Sequence, residues 1–400
     1  MADALSRLLS HPRLPVLLGA LVAVRLLLDL AWVPLPLGQV ATVLLGVVAG
    51  VVALAPTGPA WQHPLRMPVM LLGGWSVLVG IRGLDPEALR HGLHLWLPLL
   101  WLLAAPRADP RWPRGLLVAG LVPIAASLVH LALGQPAEHV LHDLPRLHGA
   151  YRNLHGHAVA MAALVVVGGW TALEDQGRWR LLGAVVAGLA GVCLAATWVR
   201  TLLVFVVLAL GTVMVLGRWW RTLGGGAALG LGGLALSPGW QGRFADVARV
   251  LSGTPPPEGW GAVGSWRGRI WVESWQGWLD GPAHTWFIGR GLGGHVGLHR
   301  HLDPHHEYLS LLFQLGPVGL LAWLGLAVGA LVLCVRARSP AGRLGAGLLV
   351  AVLLTNALSN EWLTRATLQW VTWGAVGLAL ATPASSACPA GDATAPRRRA

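Results

Sequence analysis

The sequence predicts an all-α polytopic membrane protein, with about twelve transmembrane helices and one long extracytoplasmic loop that carries an amphipathic helix. Three observations predict it: charge is scarce, apolar runs of spanning length recur, and the polar residues sort into two kinds of loop. Hydrophobic residues make up 55% of the 400 residues and charged residues 12%, with a mean hydropathy of +0.61. A soluble domain carries roughly 25% charged residues. Every formal positive charge is arginine, and lysine is absent, which together with abundant Ala, Gly, Leu and Val suggests a GC-rich coding bias. The net charge of +12 is therefore read as topology, with membrane lipids as partners and no nucleic acid. Many of the 22 tryptophans lie near span ends, as expected of an interfacial belt.

A helix needs about 20 apolar residues to cross a bilayer. Candidate runs lie near 14–34, 38–55, 67–82, 91–105, 115–134, 156–173, 181–199, 200–217, 222–238, 307–335, 343–360 and 366–382, mostly separated by Gly and Pro. Residues 1–238 then hold about nine spans and 307–382 about three, with a loop over 239–306 between them and a basic cytoplasmic tail over 383–400. Arg7 and Arg13 precede the first run and no small-residue cleavage site follows it, so it reads as a span and not a cleavable signal.

Arginine placement orients the chain. With a cytoplasmic N-terminus, the inner loops hold Arg66, Arg107, Arg111, Arg114, Arg178, Arg180, Arg218, Arg221, Arg336, Arg338 and Arg343, and the tail holds Arg397, Arg398 and Arg399. The short outer loops hold only Arg82, Arg90, Arg146, Arg152, Arg200 and Arg365. Histidines fall outside as well, among them His148, His155, His157, His295, His299, His301, His305 and His306. The polar chemistry is thus expected on the extracytoplasmic face of the plasma membrane.

Within the long loop, Thr254-Pro255-Pro256-Pro257 interrupts the chain, and Trp266 to Leu279 follows with Trp271, Trp275 and Trp278 at helical spacing. That pattern reads as an interfacial amphipathic helix. Arg25 and Asp29 stand four apart in the first span and are expected to pair across one helix turn. The glycines Gly224, Gly225, Gly226, Gly230, Gly232 and Gly233 lack a following Lys-Ser/Thr, so close helix packing is expected and not a phosphate loop. Cys193, Cys334 and Cys388 offer no zinc-site spacing. His299, His301, Asp303, His305 and His306 match no fixed metal template, and no metal is expected there.

The segment from His305 to Gly319 places titratable groups where a polar loop runs into an apolar helix, which is costly unless function requires it. Its order is a histidine, a second polar residue, nine residues from Glu307 to Leu315, then Gly316 and Gly319. This resembles the signature of the bacterial O-antigen ligase and polymerase superfamily, which usually carries Asn, Ser or Gln where this chain has His306. Further blocks agree in order over roughly residues 145–380: Tyr151-Arg152-Asn153 before a span, Thr197-Trp198-Val199-Arg200-Thr201 between two spans, Gly268-Arg269-Ile270-Trp271, and Ile288-Gly289-Arg290-Gly291-Leu292-Gly293.

The resemblance implies a GT-C-like membrane glycosyltransferase. Such enzymes move a glycan from an undecaprenyl-pyrophosphate carrier to a glycan or lipid-linked acceptor, in lipopolysaccharide or exopolysaccharide biosynthesis. The leaving pyrophosphate needs stabilisation, which guanidinium groups supply without a metal. Arg269 and Arg200 are the expected clamp, with Arg152 as a third candidate. His305 is the expected catalytic base, and His306 and Glu307 are candidates to orient it. Direct displacement would invert the anomeric carbon, with no cofactor. Ligase, polymerase and protein O-oligosaccharyltransferase share these motifs and differ in acceptor. The rival reading is a polytopic transporter of an anionic or lipid-linked substrate, and a structural or receptor role ranks third.

Overall fold

The computed structural model describes residues 11–54, 63–80, 86–133, 140–141, 144–145, 147, 149, 151, 153–222, 224–226, 252–253, 263–292, 306–356 and 366–381. The described chain is a bundle of apolar helices: α1 (Leu14–Leu28), α2 (Leu35–Leu54), α3 (Arg66–Gly80), α4 (Pro86–Ala104), α5 (Trp112–Ala132), α6 (Leu154–Glu174), α7 (Gly177–Ala195) and α8 (Arg200–Leu216). The loop contributes α9 (Val263–Leu279) and the single turn α10 (Thr285–Ile288), and α11 (Glu307–Ala337), α12 (Pro340–Asn356) and α13 (Ala366–Ala381) follow. A pair of two-residue strands, Val140–Leu141 and Leu144–Pro145, is the only ladder among the described residues. The candidate span near 222–238 lies outside the described residues beyond 226, as does the tail.

Among the described residues five helices are long and apolar enough to cross a membrane, within α2, α5, α6, α7 and α11, and α1, α3, α8 and α12 are shorter apolar helices. Leu44 and Val47 on α2, Leu71 on α3, Leu181 on α7, Val207 on α8 and Leu321 on α11 all face outward, exposed. A water-soluble protein rarely shows apolar surface on this scale, whereas lipid tails cover it without cost. The chain is an all-α membrane-embedded protein.

Helix α6 lies at the centre. Its residues from Ala158 to Val167 are buried all round, as expected of a helix with no polar face. It meets α7 at two glycines. A Cβ on Gly168 would fall 2.8 Å from the Gly183 carbonyl oxygen, and one on Gly183 would fall 2.7 Å from that of Gly168. Between lipid-embedded helices such backbone approach, and not water exclusion, supplies the packing attraction.

The two ends of the bundle differ in chemistry. At one end Arg114 grips Asp175 with bonds of 2.9 and 3.0 Å, and Arg343 grips Glu174 with bonds of 2.6 and 2.7 Å. These bidentate pairs tie α5 and α12 to the last turn of α6. Trp170 Nε1 adds a bond to Pro340 O at 2.9 Å. The opposite end carries His155, His157 and His306. There Arg25 pairs with Asp29 at 2.9 Å, as expected from their spacing, and Thr367 of α13 donates to the other Asp29 oxygen at 3.1 Å. Tyr151 donates to Leu26 O at 3.2 Å, joining the loop before α6 to the same end of α1. Among the described residues, Arg114 and Arg343 thus lie toward the last turn of α6, and His155 and His157 toward its first.

Candidate active site

The histidine end is organised around the first turns of α11. His306 is the N-cap, and its Nδ1 accepts the Leu309 N–H at 3.3 Å. A side-chain acceptor there satisfies a helix-terminal N–H that has no partner within the helix. This accounts for the small polar residue expected after the motif histidine, since Asn and Ser are good N-caps. Glu307 is buried in the first turn, 1% exposed, where the helix dipole favours its charge. Behind it Gln314 Nε2 donates to Ser310 Oγ at 2.8 Å, and the Tyr308 hydroxyl donates to Leu353 O.

Helix α9 closes on this turn. The Trp271 ring meets the His306 ring edge-on, with centroids 5.0 Å apart and planes at 85°. Ile270 and Ser274 face inward, and Arg269 points away from them, 66% exposed and paired through Nε with Glu273 Oε1 one turn on. A helix covers the tryptophan-patterned segment and begins three residues earlier than that pattern suggests, at Val263.

Below the mouth α11 is broken. Gly316 has φ 68° and ψ −178°, and Pro317 follows it. Proline has no N–H to return to the carbonyl four residues back, so Phe313 O loses its helical partner. The loop after α10 fills the gap. Arg290 N–H donates to Phe313 O at 2.7 Å, and Gly291 N–H donates to Gln314 O at 3.1 Å. Trp75 Nε1 of α3 takes Leu315 O at 2.9 Å. Two glycines make the approach feasible. A Cβ on Gly316 would stand 2.2 Å from Phe287 O, and a Cβ on Gly289 (φ 74°) would stand 2.5 Å from Gln314 O. Leu292 completes the joint by packing against Gly80 of α3 and Gly92 of α4. His91, Leu95, Leu292, Leu311, Gln314 and Leu315 line a crevice there with room for about one water molecule.

Arg200 is half-buried and opens α8 at the same end of the bundle. The preceding turn holds Trp198 at φ 57°, and Thr197 Oγ1 donates to Leu194 O at 2.6 Å. Asn153 caps α6, with its side chain accepting the Gly156 N–H at 2.6 Å. His305 and Arg152 lie outside the described residues, as do His299, His301 and Asp303. Among the described residues no group of His, Cys, Asp or Glu is placed to hold a metal. The structure therefore brings His306 to Trp271 and places Arg200 and Arg269 toward the same end.

Sequence reading missed three features of this end. One is the joint itself, for which Pro317 directly after Gly316 was the available signal. Another is the bond from Thr367 to Asp29. The third is a buried knot in which a Cβ on Gly149 would meet His157 Nδ1 at 2.6 Å and Ser127 Oγ at 2.5 Å. Ser127 and His157 each lie near the histidine end of an apolar span, a weak signal taken singly.

No protein-family model matches the chain, and no curated protein is significantly similar to it.

The cap gives the mouth a pH dependence. Burial pushes the His306 imidazole below its ordinary value, outweighing a backbone hydrogen bond that acts the other way. Only the neutral ring can accept from Leu309 N–H, and a charged ring would oppose the helix dipole. Because the folded value is depressed, this contribution is fully present above the ordinary imidazole range and is lost as pH falls through the lowered value. His63, pushed down to about 4 by burial, adds a similar loss further into acid. The variant His306→Asn keeps a cap acceptor without titrating. It is expected to melt with a flatter dependence below pH ~6.5, by about 1 kcal/mol. His63 is common to both proteins and cancels, so superimposable melting profiles would show that the cap does not titrate.

Proposed function

We propose that the protein is a membrane glycosyltransferase that moves a glycan from an undecaprenyl-pyrophosphate carrier to an acceptor sugar on the outer face of the plasma membrane. It would belong with the O-antigen ligases and polymerases, with about twelve spans, cytoplasmic termini and a GT-C-like arrangement. The observation that carries the reading is the co-location of motif blocks distant in sequence. The Gly-Arg-Ile-Trp helix touches the cap residue that follows His305, and the Gly-Arg-Gly loop docks on the Gly316 break.

In this reading Arg269 and Arg200 offset the charge that develops on the departing carrier pyrophosphate, a task that planar guanidinium forks perform in both charge and shape. His305 accepts the proton of the acceptor hydroxyl as its oxygen bonds the anomeric carbon. The bond from that carbon to the phosphate oxygen breaks, the carrier pyrophosphate leaves, and the configuration inverts. Neither a metal nor a cofactor is needed for that balance.

The break in α11 also weighs against a transporter. Broken helices of transporters use freed carbonyls to coordinate ions near the membrane midplane. Here Phe313 O, Gln314 O and Leu315 O already accept from Arg290 N–H, Gly291 N–H and the Trp75 indole.

The test is the glycan inventory of a deletion strain. Carrier-linked long chains that no longer reach the surface are expected for a ligase, and single repeat units for a polymerase. Loss of glycan from a surface protein alone marks a protein O-oligosaccharyltransferase. Unaltered surface and carrier-linked glycans, with solute uptake impaired instead, would overturn the enzyme reading in favour of transport.

A further inference from the structure

We propose that Arg290 is a positioning residue, which locks the interfacial helix α9 to the broken helix α11 and so holds Arg269 at a set height beside the mouth of the site. The lock is seen in the geometry, and only its purpose rests on the proposed function.

Arg290 ties three elements together. Its backbone N–H occupies Phe313 O at 2.7 Å, the carbonyl that Pro317 leaves without a helical donor. Its guanidinium lies 5.8 Å from the centre of the Phe313 ring, a cation–π placement that keeps the side chain against α11. Its Nη2 donates to Gly277 O in the last turn of α9. Carbonyls of a last turn lack helical partners and carry the negative end of the helix dipole, so a guanidinium there is favourable twice over. A Cβ on Gly281 would come within 3.1 Å of Nη2, so the turn after α9 leaves just enough room for the fork.

Helix α9 is therefore tied to α11 at its mouth end and, through Arg290, at its last turn, where Trp286 Nε1 of α10 also donates to Leu279 O at 3.1 Å. Trp271 meets His306 at the mouth, and Gly277 meets Arg290 at the joint. Arg269 precedes Trp271 by two residues and is itself exposed. Loss of the Arg290 bond loosens the last turn of α9 against α11, and Arg269 would move relative to the start of α11. An error of about 1 Å in placing a charged group can cost on the order of a hundredfold in rate. An arginine in the outer loop of such a protein invites a reading as a phosphate ligand. Here its Nη2 turns toward a helix end and its guanidinium lies over an aromatic ring.

The experiment compares wild type with Arg290→Gln and Arg290→Lys, full-length in lipid nanodiscs, by hydrogen exchange and by turnover of carrier-linked glycan extracted from cells. Exchange of the 263–279 amides is expected to quicken roughly tenfold or more in Arg290→Gln, with α6 and α12 unchanged. In the same variant kcat should fall roughly tenfold while the donor KM moves little, and lysine, which keeps a donor but no planar fork, should restore only part of it. Unchanged exchange in α9 would overturn the proposal, as would faster exchange spread over the whole bundle. Should Arg290→Gln fail to fold, Phe313→Leu removes the ring beneath the guanidinium and must give the same local pattern. If the wild type transfers no glycan, the functional reading fails, and the exchange pattern still decides the lock.

Discussion

Replacing Gly316 with alanine is expected to destabilise the folded protein by several kcal/mol, enough to lower its melting temperature sharply in detergent. The backbone there, φ 68° and ψ −178°, lies in a region populated almost only by glycine, and holding another residue in it costs on the order of 1–3 kcal/mol. The new methyl would also stand 2.2 Å from Phe287 O, 2.6 Å from Phe287 C and 2.7 Å from Gly289 N. All three are backbone atoms, so no side chain can rotate away. Relief requires the loop to lift, and lifting it removes the donors from Phe313 O and Gln314 O inside a membrane protein. Gly325→Ala in the same helix is the control. Nothing lies within 4 Å of its new Cβ, and alanine gains about 1 kcal/mol of helix propensity over glycine. Thermal unfolding of the two variants beside wild type decides the matter. Equal melting temperatures for Gly316→Ala and Gly325→Ala would mean that the joint does not hold the native state together.

That contrast also marks what could be read from the sequence. Helix positions followed from the recurrence of apolar runs, because spanning a bilayer leaves few alternatives to a long apolar helix. The pairing of Arg25 with Asp29 followed from their four-residue spacing, since one helix turn brings the two side chains together. The Gly-x-Gly loop and the Gly-x-x-Gly segment were legible only as members of a resemblance. Their physical reason is a contact between residues 289 and 316, and patterns of local period carry no information about such a pair. Pro317 did announce that Phe313 O needs a foreign donor. Nothing in the sequence specified that the donor would be Arg290 rather than a hydroxyl on a neighbouring helix. His306 was read beside His305 as part of one titratable pair. The structure gives position 306 the work of an N-cap, which separates the two histidines into a structural role and the chemical role expected of His305.

The separation makes the catalytic assignment sharp. His305→Ala is expected to lower kcat for transfer from a polyprenyl-pyrophosphate glycan by about 10²–10⁴, the usual contribution of a positioned general base. Under the proposed function donor binding should persist, because arginine and not the imidazole would hold the pyrophosphate. Folding should persist as well, since the cap of α11 stays with His306. His306→Asn, measured in the same proteoliposomes, preserves an acceptor for Leu309 N–H and is expected to retain most of the rate. Arg269→Lys should behave differently from both. It keeps a charge on α9 but loses the planar fork, so donor use weakens even though His305 is intact. A general base also imposes a pH signature: the wild-type rate should fall as the imidazole protonates, and the residual rate of His305→Ala should not follow that curve. If His305→Ala turns over as fast as wild type while His306→Asn is inactive, the base is the cap residue, and the register that singles out His305 is wrong. If both turn over normally, no imidazole at the mouth of α11 takes the proton.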